Sequence, residues 1–145
     1  MNHDKKFFIR AFFKDFNGRI KNVKEIIRLG FKDEGTILAL CQLDALSNFR
    51  YQPKQGLYKK CFKKLLEDYY SGVQNISAYS EDLYKYFRCA GVHKGRISVM
   101  WNVPGSKDKV FSPEGVLSIL EECFDKIRKE CLDSNKWLHE LGSKE

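Results

Sequence analysis

Arg88 and His93 are the two residues whose types and spacing could do chemistry together. Four residues separate them, within Leu-Tyr-Lys-Tyr-Phe-Arg-Cys-Ala-Gly-Val-His-Lys-Gly-Arg at 83–96. A guanidinium holds an anion at any pH, and an imidazole exchanges a proton near neutrality. That combination suits chemistry on a phosphate. Gly91, Lys94, Gly95 and Arg96 make the segment glycine-punctuated and basic. A plainer reading is structural: Arg88 meets the free carbonyls of a helix C-terminus, and His93 is an ordinary loop residue.

No other constellation competes. His3 lies at the chain start, read as a loose terminus, and His139 lies in a polar end segment. Neither has the cysteine, histidine or carboxylate spacing of a metal site. A glycine-rich phosphate loop, a nucleophile elbow and an H-E-x-x-H pattern are all absent. The expectation is therefore a site without metal or cofactor.

Helices must position the pair. Between 7 and 29, Ile9, Phe12, Phe13, Phe16, Ile20, Val23 and Ile27 recur at helical spacing, with Asn17 and Gly18 predicting a kink or a break. Gly30 is placed to end that helix. Asp33 is predicted to cap a second helix running through Tyr51, whose centre at 37–46 is apolar nearly all round and so belongs innermost. Asp44 and Asn48 share one side of it, four residues apart, and either face solvent or support a polar site.

Pro53 and Gly56 signal a turn. A third helix follows, with Tyr58, Phe62, Leu65, Leu66 and Tyr69 inward and Lys59, Lys60, Lys63 and Lys64 as a solvated face. Residues 73–79 read as a loop and Ser80 as the cap of a short fourth helix. That helix turns Leu83, Tyr84 and Phe87 inward and delivers Arg88. After Gly95 the period changes to two: Ile97, Val99, Trp101 and Val103 alternate with Ser98, Met100 and Asn102, predicting a small β-hairpin over 97–111. Ser112 and Pro113 open a last helix striped by Val116, Leu120, Cys123, Phe124, Ile127 and Cys131, fraying before Trp137, with a loose tail after Leu141. The expected fold is all-α, a bundle of four or five helices with the hairpin before the last, in one domain over 1–145.

Composition agrees with a folded chain. The 145 residues are 43% hydrophobic and 14% aromatic, ample for a core, and the net charge of +7 favours an anionic partner. Five cysteines, none spaced C-x-x-C, imply free thiols in a reducing compartment. No apolar run reaches the length of a membrane span and no signal peptide is legible, so a cytoplasmic protein is expected.

The 83–95 stretch resembles the signature segment of the HEPN family, small all-helical domains whose hallmark is Arg, four to six residues, then His at a helix end. The likeness runs more broadly over 25–129 as a pattern, including the long apolar second helix ending in an aromatic and basic segment. It implies a homodimer with the two Arg–His pairs facing one cleft, and a metal-independent endoribonuclease of a toxin–antitoxin, CRISPR-associated or anti-phage system. Carried over, Arg88 would hold the scissile phosphate of RNA, and His93 would shuttle the proton as the ribose 2′-hydroxyl attacks. Lys85, Lys94 and Arg96 flank the motif and would hold the RNA backbone. Active members commonly carry asparagine directly after the arginine, where this chain has Cys89. Members without the intact pair are binding or regulatory modules. The alternative is accordingly a non-catalytic helical dimer that binds a nucleotide, RNA or an antitoxin-like protein.

Overall fold

The structure, a computed structural model, describes residues 2–72, 76–87 and 112–142. These residues form five α-helices and one 3₁₀ turn. The expected hairpin at 97–111 lies outside the described residues, as do residues 143–145 of the tail expected after Leu141, whose first residue, Gly142, is described.

The apolar stripe of the first helix, α1 (Asn2–Arg28), is buried at Ile9, Phe13, Phe16, Ile20, Val23 and Ile27. Phe12 sits at its edge against Phe49 and Trp137. The expected break at Asn17–Gly18 does not occur. Glycine in a helix costs about 1 kcal/mol relative to alanine. The stripe on both sides of Gly18 packs into one continuous core, and burial of even one large side chain outweighs that cost. Arg19 also pairs with Asp15 across the glycine. His3 lies in the first turn of this helix, not in a loose terminus.

Gly30, at φ +98°, ends α1 as expected. Its N–H donates to Ile27 and that of Phe31 to Ile26, the paired bonds that satisfy the last carbonyls of a helix. The turn is so tight that α2 (Lys32–Tyr51) starts at once, with Phe31 in the capping position. Asp33 is therefore not the cap. It lies in the first turn, where a carboxylate still meets the positive end of the helix dipole. The close return also explains why Gly35 is buried. A Cβ there would stand 2.3 Å from Ile27 Cγ1.

As expected, α2 is central. It packs on α1, on α3 (Tyr58–Tyr69) and on α5 (Pro113–Ser134), and α1 also packs on α5. Gln52 ends α2 in the left-handed conformation, and Gly56 at φ +87° completes the turn beside Pro53. Phe62, Leu65, Leu66 and Tyr69 of α3 are buried, whereas Tyr58, expected inward, is 44% exposed. It occupies the first turn of α3, at the rim of the bundle.

The fourth helix, α4 (Ile76–Tyr86), rests chiefly on α3. It begins earlier than expected, so 76–79 are helix and Ser80 is not a cap. Ser80 is buried mid-helix, and its hydroxyl donates back to the Ser77 carbonyl at 2.9 Å. Ile76 and Tyr79 pack against the core and extend the apolar face by a turn, which outweighs the capping preference of serine. The expected caps of α5 do form: Ser112 Oγ accepts from the Gly115 N–H at 3.0 Å and Pro113 fills the first turn. After Asn135, at φ +54°, the chain forms the 3₁₀ turn Leu138–Glu140.

That final turn is held by Arg50, which is only 4% exposed. Its guanidinium donates to the carbonyls of Leu141 (3.1 Å) and Gly142 (2.7 Å) and to Tyr69 Oη (2.9 Å).

Two predictions follow from the packing. Gly18 has open space at its Cβ position and Gly35 does not. Gly18→Ala should therefore stabilise by about 0.5–1 kcal/mol and Gly35→Ala destabilise by about 1–3 kcal/mol in urea unfolding. Shifts of the same sign would contradict this account of α1. Arg50→Ala should cost about 3 kcal/mol, since three bonds from a buried charged donor are lost. It should also expose the chain near Leu141 to protease, and cleavage no faster than wild type would show that the clasp does not hold the C-terminal turn.

Candidate functional site

Asp44 and Asn48 lie one turn apart on α2, as the spacing predicts, and neither belongs to the hydrophobic core. Together with Tyr58 of α3 and Tyr84 of α4 they line a recess of about 240 Å³. Both residues are half-buried at the edge of this recess. The ring of Tyr84 is fixed by Phe62 (centroids 5.3 Å apart) and Phe87 (6.2 Å), so this wall is stiff. Tyr58 forms the outer, half-open wall. Asn48 Oδ1 is buried without a hydrogen-bond partner among the described residues. Such a group costs about 1–3 kcal/mol unless something satisfies it.

The recess adjoins the helix expected to carry the Arg–His motif. Leu83 and Phe87 are buried and anchor the end of α4. Arg88, His93, Lys94 and Arg96 lie outside the described residues, as does Cys89. Arg88 follows Phe87 directly, so the motif is tethered covalently to this end of α4. Lys85, next to Tyr84, is exposed. Of the sequence-predicted residues, then, the structure brings Asp44 and Asn48 together and places Lys85 close by in the chain. Sequence reading missed Tyr58 as a wall of the recess, because its spacing from Phe62 matches the buried stripe. The available signal was its place directly after the Gly56 turn, where a helix has not yet entered the core.

The lysines of α3 do more than solvate a face. Lys59 and Lys63 both bind Glu81 of α4, Lys63 at 2.8 Å. Lys64 pairs with Asp68, which also accepts from Tyr51 Oη at 2.7 Å. The two Glu81 pairs join α3 to α4 along a groove of about 400 Å³ lined by Lys59, Lys60, Lys63, Lys64, Glu67 and Glu81. Hydrogen bonds from Lys59 and Lys63 hold the Glu81 carboxyl down at about 2, against an ordinary 4.5. The same contact pushes the Lys63 ammonium up.

The cysteines behave as core residues. Cys123 and Cys131 are buried free thiols, and Cys41 and Cys61 are half-buried. Burial raises the thiols of Cys61, Cys123 and Cys131, the last to about 12, so none of these three is a ready thiolate. His139 is exposed in the 3₁₀ turn. Among the described residues no group of three or more histidines, cysteines, aspartates or glutamates is gathered as a metal would require. No helix among them is long and apolar enough to cross a membrane. Compared with known proteins, the chain matches no family model, no curated protein and no solved structure.

The depressed Glu81 carboxyl yields a prediction with a definite sign. A carboxyl lowered on folding stabilises the fold above its unfolded value, about 4.5, and that contribution is lost as pH falls toward about 2. Glu81→Gln should thus be less stable than wild type at neutral pH, modestly because the group is exposed. The two urea midpoints should converge near pH 2. A constant gap across that range would show that the carboxyl is not what joins α3 to α4.

Proposed function

We propose that this chain is an HEPN-like, metal-independent endoribonuclease of a toxin–antitoxin or defence system, acting as a homodimer. The observation that supports it is the polar recess of Asp44, Asn48, Tyr58 and Tyr84 beside α4, the helix whose chain continuation carries Arg88 and His93. The all-helical architecture of the described residues agrees with the reading. In this reading the hairpin of 97–111 separates the motif from α5. The homodimer would have apolar surface to use: Phe7 and Phe8 of α1 are 65% and 58% exposed, whereas Tyr79 and Tyr84 of α4 pack partly on the core.

The chemistry is a transesterification. The ribose 2′-oxygen attacks the adjacent phosphorus, and the bond to the 5′-oxygen of the next nucleotide breaks. His93 takes the 2′-hydroxyl proton, and a proton is returned to the 5′-oxygen leaving group. Arg88 spans two phosphate oxygens with its planar fork and stabilises the charge that builds on them. Lys85, Lys94 and Arg96 hold flanking phosphates. An antitoxin-like protein is the partner such a system implies. Cys89 favours a second reading, a non-catalytic dimer that binds a nucleotide, RNA or protein, because a thiol cannot orient the imidazole as an amide does.

Cleavage separates the two. His93→Ala and Arg88→Ala should each lose on the order of a hundredfold or more in RNA cleavage measured in EDTA, with melting temperatures unchanged. Arg88→Lys should be nearly as inactive, because an ammonium lacks the fork. The wild-type rate should follow a histidine ionisation between about pH 5 and 8. A wild type that cuts no RNA, or a His93 variant that cuts equally well, would leave the binding module.

A further inference from the structure

We propose that the Asp44–Asn48–Tyr58–Tyr84 recess is a base-recognition site that selects guanine in single-stranded RNA. This rests on the reading that the chain acts on RNA, and it adds what that reading leaves open: where along a strand the enzyme stops.

The size of the recess limits what it takes. At about 240 Å³ it falls below the roughly 300–1,000 Å³ of pockets that enclose drug-sized ligands. It suits one planar ring system. Two of its four described lining residues are tyrosines from different helices. One of them, Tyr84, is locked in orientation by Phe62 and Phe87 before any ligand arrives. Unstacked RNA bases bind proteins through such aromatic faces, with hydrogen bonds read on the base edge.

The other two lining residues decide which base. Asp44 contributes two carboxylate oxygens with about four lone-pair directions, so it accepts from a ligand alongside any other bond it makes. Asn48 contributes an amide whose Oδ1 has no partner among the described residues. Among the described lining residues the Asp44 carboxylate is the group that only accepts, while the Asn48 amide and the tyrosine hydroxyls can both donate and accept. Guanine alone presents two adjacent donors on its Watson–Crick edge, N1–H and N2–H₂, which one carboxylate receives together. Adenine and cytosine set a donor beside an acceptor there, and uracil sets one donor between two acceptors. Each would turn a lone pair toward Asp44, and an unsatisfied or repelled polar edge discriminates strongly. The carboxylate also disfavours phosphate. The recess therefore takes the base while the basic residues take the backbone.

Nucleoside binding tests this without requiring cleavage. Guanosine, adenosine, cytidine and uridine would be titrated into the full chain, followed by tyrosine fluorescence and by NMR. Guanosine should bind at least tenfold tighter than the other three. Asp44→Asn, which keeps shape but swaps an acceptor for a donor, should remove that preference at unchanged melting temperature. Tyr58→Ala, at an exposed position, should weaken guanosine binding by about tenfold. Four nucleosides bound equally or not at all, or guanidinium bound in preference to guanosine, would overturn the proposal. A preference that survives Asp44→Asn would do the same. Cleavage without base preference would sink this inference and leave the ribonuclease reading standing. Selective guanosine binding with no cleavage would do the reverse.

Discussion

A buried guanidinium holds this fold closed. Arg50 ends the central helix, and an unpartnered charge at that depth would be prohibitive. Its position is tolerated because its donors find Tyr69 of α3 and the two carbonyls at the chain's last turn, while its face lies 4.8 Å from the Tyr51 ring. Glu130 of α5 completes the set by accepting from Tyr69 Oη at 3.4 Å. One side chain thus fixes how α2, α3, α5 and the C-terminal turn meet. The end of α2 and the start of α3 bracket the recess, so its shape depends on that arrangement being unique. A hydrophobic residue at position 50 could fill the volume but could not specify this one arrangement.

α4 is held on a different principle. α4 lies outside the layer of α1, α2 and α5 and rests chiefly on α3. What holds it is a short apolar contact of Leu83 and Phe87, reinforced by Glu81 gripping Lys59 and Lys63. Exposed ion pairs contribute little each and weaken with salt. α4 should consequently be the least stable of the helices, and it is the one whose continuation carries the Arg–His pair.

Much of this was legible from the residues. The stripes of α1, α3 and α5 and the caps at Gly30 and Ser112 lie where periodicity and capping chemistry put them. The misplacements share a cause. Gly18, Asp33 and Ser80 are each a local signal overridden by packing: a continuous core, a three-residue return and an extra apolar turn at Ile76 and Tyr79. Asp44 and Asn48 were readable as a polar pair on an apolar helix, but their neighbours were not. Tyr58 and Tyr84 lie ten and thirty-six residues beyond Asn48, and nothing in local spacing encodes that three helices converge there. Arg50 was invisible for the same reason, since a basic residue near a helix end is ordinarily explained by the dipole.

The distribution of charge bears on how such a site would work. The excess of cations is not gathered at the recess. Four lysines on α3 are set against Glu67 and Glu81, and another basic groove, of about 700 Å³, lies far along α1 with Lys21, Lys24, Arg28 and Lys32 against Glu25 and Glu114. Among the described residues the recess is lined by a carboxylate and by no cation. A polyanion is therefore drawn to the protein as a whole, by a field that does not distinguish sequences. On the proposed reading, discrimination would come from a place that disfavours the backbone, and the recess with its Asp44 carboxylate would be that place. Separating a diffuse basic surface from a small polar pocket divides affinity from specificity, so a change in either should leave the other largely intact.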